Sequence, residues 1–141
     1  RLGLVGSEMC IRDRAGLVAI TAEPLTPGPI TAMFIGSIGA IIMYFGTKML
    51  ESYGLDDVVG AIPVHMFAGI FGTLVVPLTN PETSFGTQFI GTVSVCIFSF
   101  VLSWATFTAL KSTIGLRISK AAEKLGTDKA EVGVTAYSIR D

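Results

Sequence analysis

Three stretches of this chain, residues 24–47, 58–81 and 83–110, contain no Asp, Glu, Lys or Arg. Each is longer than the roughly 20 residues an α-helix needs to cross a hydrocarbon layer. A core helix of a soluble domain carries a polar stripe with helical period. Residues 89–100 offer only small or hydroxyl positions in place of charges, at Gly91, Thr92, Ser94 and Ser99. The pattern predicts an all-α integral membrane fold with transmembrane helices over about 27–48, 58–78 and 87–110. A fourth apolar segment, residues 15–22 (AGLVAITA), stops at Glu23-Pro24 and is too short to span. It reads as the second half of a helix whose first half is missing.

Composition agrees with the pattern. The chain of 141 residues is 50% hydrophobic and 15% charged, with a mean hydropathy of +0.66, whereas an ordinary soluble domain is about a quarter charged. Its formal net charge is −1 and no basic patch stands out, which argues against nucleic acid as a partner. The basic residues set a topology. Residues 79–86 carry no Lys or Arg, whereas Lys48 ends the first span and Lys111, Arg117, Lys120, Lys124 and Lys129 follow the last. By the positive-inside rule, residues 48–57 and the C-terminal tail are cytoplasmic and residues 79–86 external.

Three segments organise the chain: residues 1–14, a membrane domain over 15–114, and a tail over 115–141. Residues 7–14 (SEMCIRDR) read as a non-native flank of the kind left where a sequence assembly runs into adapter. The alternative is a native cytoplasmic flank, which Arg12 and Arg14 would suit. The segment does not read as a signal peptide, because no adequate apolar core lies between the charges and a cleavage site. Cys10 and Cys96 give no disulfide framework, and Cys96 reads as a small packing residue. Gly36 with Ala40, and Ala68 with Gly72, place small residues four apart, where helix backbones in lipid approach closely.

The chemistry concentrates in residues 54–72 (GLDDVVGAIPVHMFAGIFG). Asp56 and Asp57 stand at the start of the second span, where carboxylates cap free amides and complement the helix dipole. His65 is the single histidine of the chain, and an ionisable residue within a span is a functional hypothesis by default. Pro63 precedes it by two residues and removes a helical hydrogen bond, which points to a bent helix presenting the imidazole to an internal space. A hydrogen-bonded packing histidine is the competing reading. No phosphate loop, metal-spaced His/Cys cluster or nucleophile with a base is present, so neither an enzyme nor a metal or other cofactor is expected.

AGLVAITA at 15–22, LDDVVGAIPVH at 55–65, AGIFGTL at 68–74, GLRI at 115–118 and GTDKAEVGVTAY at 126–137 together resemble the C-terminal part of the ammonium transporter family (Amt/Mep/Rh), nearer its bacterial Amt branch. The resemblance implies a partial fold, with the end of helix eight followed by helices nine to eleven and a cytoplasmic tail, in the plasma (inner) membrane. It implies a homotrimer with one hydrophobic pore per subunit, through which ammonium or ammonia passes. His65 matches the C-terminal member of a pore histidine pair whose partner would lie upstream. Thr21 and Ala61 match positions lining the inner pore. For Thr21, a hydrogen bond to a carbonyl of its own helix is the competing role. For Gly115, Arg117 and Tyr137 the resemblance implies a place in a tail that docks on the cytoplasmic face, couples subunits and takes part in control by PII-type proteins. Thr135 and Ser138 depart from the family's usual acidic residue and proline there, and Glu23-Pro24 departs from the small residues that commonly follow the threonine.

The transport chemistry expected of such a pore follows from solvation. A bare ammonium ion in hydrocarbon meets a Born penalty of tens of kcal/mol, which neutral ammonia avoids. A neutral imidazole accepts on one ring nitrogen and donates from the other, so a pair of them can take a proton from ammonium and pass it on. Alone, the chain is expected not to conduct, for want of the partner histidine and most of the pore wall. Two other classes are open: a short membrane subunit supplying helices to a larger complex, and a fragment of an ammonium sensor without transport activity.

Overall fold

The computed structural model describes residues 14–55, 57 and 59–134. Among these every regular element is helical. Residues 14–21 form α1, and Pro29–Ser52 form α2. A π-helical turn over Ile62–Phe67 runs directly into α3, Ala68–Thr79. The longest helix, α4, is Phe85–Thr113, and the tail holds α5, Lys120–Leu125, followed by a second π-helical turn, Asp128–Val132. Three of these helical stretches, Pro29–Ser52, Ile62–Thr79 and Phe85–Thr113, are long and apolar enough to cross a membrane. Helix α2 opens with Pro29 at its first position, where the missing N–H leaves no bond unmade.

The chain divides into two units, Arg1–Ile97 and Phe98–Asp141. In the first, α1, α2 and α3 pack together. Ala15, Met43, Val64 and Ala68 form the core, with Val18 against it. Ala15 shares one core cluster with Val64 and Ala68, while further on Ala19 lies against Gly72, so α1 and α3 run parallel. Helix α2 runs against both, with Gly36 facing Gly16, Gly39 facing Ala15 and Ala19, and Gly46 facing Pro63 and Phe67.

The packing faces are built from small residues, because lipid supplies no hydrophobic drive between helices and close backbone approach must replace it. Ala68 and Gly72 are both buried. On α2 the buried stripe is Ile35, Gly39, Met43, Gly46 and Leu50. Gly36 and Ala40, the pair read from the sequence, are half-buried beside this stripe, and Gly36 packs against the Gly16 backbone. Nothing larger than glycine fits the centre of the seam. A Cβ at residue 39 would stand 2.6 Å from the Ala19 Cβ, and one at residue 72 would meet the Ala19 carbonyl oxygen.

Helix α4 buries no residue. Phe89, Phe98, Phe100, Trp104 and Phe107 are all more than half exposed. In the second unit, α4 ends where Gly115 takes φ +80° and its N–H returns to the Leu110 carbonyl at 3.1 Å. A left-handed residue of this kind satisfies end carbonyls that the helix itself cannot. Ser119 Oγ then accepts the Ala122 N–H at 3.2 Å and starts α5.

Candidate functional site

The helix that carries His65 begins on a carboxyl group. Asp57 Oδ1 accepts the Ala61 N–H at 2.9 Å, and Oδ2 accepts the Ile62 N–H at 2.7 Å. Two of the amides that no helical carbonyl can reach are thereby satisfied by one side chain. Asp56 lies outside the described residues.

Pro63 shapes the turn that follows. It has no N–H to return to the carbonyl four residues back, and the backbone widens into the π-helical turn Ile62–Phe67. The Ala68 N–H reaches the Pro63 carbonyl, five residues back. The sequence reading of a bend is thus met by a widened turn. Pro63 and Val64 are buried, against Gly46 and Met43 of α2. Ala61, Ile62, His65 and Met66 are left exposed. Ala61 and His65, four residues apart, share this uncovered face. The imidazole has no hydrogen-bond partner among the described residues.

Thr21 is exposed, and its hydroxyl donates to the Leu17 carbonyl at 2.6 Å, a bond within its own helix. It is not brought to His65. Thr21 lies two residues beyond Ala19, and His65 seven residues before Gly72, on parallel helices that meet at Ala19 and Gly72. At 1.5 Å per residue, the two are separated by about 13 Å along the bundle. Ala61 and Thr21 therefore lie on opposite sides of His65.

In the tail, Gly115 forms the stop of α4, and Arg117 holds Glu123 through two contacts, Nη2 to Oε1 at 2.7 Å and Nε to Oε1 at 2.8 Å. Tyr137, Thr135 and Ser138 lie outside the described residues, as do Cys10 and all but the last residue of the 7–14 segment. Among the described residues no cluster of three or more His, Cys, Asp or Glu can hold a metal ion.

One pair went unnoticed in the sequence. Asn80 Nδ2 donates to Glu23 Oε2 at 3.0 Å, joining residues 57 apart. The available signal was slight: an acid just past one apolar helix and an amide just past another.

Three helical stretches apolar enough to span a bilayer, two of them packed with α1 through small residues and one carrying an imidazole on an uncovered face, define a helical membrane protein. Residues 14–137 match the model of the Ammonium Transporter Family, and the chain belongs to that family. It is 36% identical to ammonium transporter Amt2 of Archaeoglobus fulgidus, over 87% of this chain and 31% of that protein. It is 34% identical to ammonium transporter Amt2 of Methanocaldococcus jannaschii, over 87% of this chain and 31% of that one. An ammonium transporter of Corynebacterium glutamicum is 31% identical over 89% of this chain and 31% of its own length. The chain thus spans about a third of the length of these curated relatives. No solved structure matches it.

Proposed function

We propose that this chain forms part of an ammonium transporter and lines one side of its conduction path at His65. The observation that carries the reading is the placement of His65. It stands on the uncovered face of an apolar span, eight residues beyond the Asp57 cap, while Pro63 and Val64 fill the covered face of the same turn. A polar ring facing bare hydrocarbon costs free energy unless a partner or a cavity meets it. Within the described residues nothing meets it, so the partner is a further element of the transporter. A second imidazole there makes a relay in which the proton of ammonium passes between rings and neutral ammonia crosses the apolar interior. The curated relatives that cover the chain are named ammonium transporters, which supports ammonium as the substrate.

Ala61 extends the same face toward the Asp57 end, and Thr21 lies at another depth, toward Asn80. The positive-inside rule puts the Asp57 end and the tail in the cytoplasm of a plasma-membrane protein. A homotrimer, and regulation through the tail by a PII-type protein, complete the reading.

The test is methylammonium uptake by the full-length transporter carrying His65→Ala. Uptake or discrimination against potassium is expected to be lost while the protein still reaches the membrane. Unchanged rate and selectivity would remove His65 from the path.

A further inference from the structure

The interface between α1 and α3 is smooth. Val18 lies beside Gly69, and the Ala19 backbone fits onto Gly72. Such a seam permits close approach, and among the described residues no side-chain hydrogen bond within it joins the two helices and fixes their sliding position. The hydroxyls of Thr21 and Thr73 do not fix it either, since each donates to the carbonyl four residues back in its own helix. At the end of the seam stands a polar node. Asn80 closes α3 with its N–H on the Val76 carbonyl at 2.9 Å. Its own carbonyl accepts from the Thr83 N–H at 3.2 Å and the Thr83 hydroxyl at 2.9 Å. Its Oδ1 accepts the Glu82 N–H at 3.0 Å, and its Nδ2 donates to Glu23. Asn80 is thus held in place by its own loop, and the remaining bond reaches across to the segment that ends α1.

We propose that Glu23 and Asn80 are positioning residues of the transporter. Their hydrogen bond clasps the end of α1 to the end of α3 and sets the register in which the His65 helix meets the helix that carries Thr21. The effect on transport rests on the reading of His65 given above. The clasp itself is geometric and can be read separately.

An exchange of the two side-chain types tests it in the full-length protein. In Glu23→Gln the amide oxygen still accepts from Asn80, and rates stay near those of the parent. In Asn80→Asp the donor is lost and two carboxyl groups face each other. The maximal methylammonium rate is expected to fall about tenfold with KM little changed, the size of effect that one hydrogen bond to a charged group supports. Hydrogen exchange in residues 22–28 is expected to accelerate in the same variant. Combining Glu23→Gln with Asn80→Asp restores a donor–acceptor pair with its direction reversed, and both readouts are expected to return to within about twofold of the parent.

A double variant as impaired as Asn80→Asp alone would overturn the clasp, as would unchanged exchange in Asn80→Asp. Faster exchange with an unchanged rate would overturn the positioning role. Should His65→Ala leave transport intact, the transport reading fails, while the exchange data still decide the clasp.

Discussion

The carbonyl oxygen of Ala19 occupies the space that a Cβ on residue 72 would need. Both partners are backbone, so neither can swing aside. Gly72→Ala therefore forces α1 and α3 apart along the whole seam, with an expected loss of about 1–3 kcal/mol, the usual penalty for overfilling a packed interface. The midpoint of thermal unfolding of the full-length protein in detergent reads this directly. Gly28→Ala is the control. A Cβ there meets nothing within 4 Å, and φ is −63°, so its melting temperature should match that of the parent.

Asp57 serves two amides at once, and its variants should separate in steps. Asp57→Ala leaves the Ala61 and Ile62 N–H groups without their acceptors and should cost about 0.5–2 kcal/mol. Asp57→Asn keeps one acceptor oxygen and should lose less. Limited proteolysis between α2 and the π-helical turn, followed with time, is expected to rank the proteins parent, Asn, Ala in decreasing resistance.

Thr21 already spends its proton on the Leu17 carbonyl. Bonds of this local kind contribute little to a helix, and Thr21→Val keeps the shape of the side chain. Methylammonium uptake in Thr21→Val is expected to stay within about twofold of the parent. A loss comparable to that of His65→Ala would instead give the hydroxyl a direct part in conduction.

Gly115 adopts φ +80°, where a Cβ is strained whatever the space around it. Gly115→Ala is expected to cost about 1 kcal/mol and to fray the end of α4. Faster trypsin cleavage at Lys111 should report it, with cleavage at Lys48 unaltered as the internal reference.

Much of the membrane architecture was legible because lipid is an exacting solvent. Runs without Asp, Glu, Lys or Arg have few other uses, and three of them became Pro29–Ser52, Ile62–Thr79 and Phe85–Thr113. The family was legible for a different reason, in ordered motifs from Ala15 to Tyr137. The seam was only half legible. Spacing showed small residues four apart, but which of Gly39 and Ala40 faces inward depends on the phase of a partner helix, and the local pattern does not carry that phase. Pro63 announced a lost hydrogen bond without saying whether the helix would bend or widen. The Glu23–Asn80 bond was beyond reach, because nothing local in either segment refers to the other.

Helix α4 buries no residue and presents Phe89, Phe100, Trp104 and Phe107 outward. A helix so apolar on every side needs no neighbour in order to enter a bilayer. The apolarity that favours this helix in lipid is therefore independent of its packing. Helix α4 can partition into lipid on its own apolarity, whereas α1, α2 and α3 also have a glycine seam to close there.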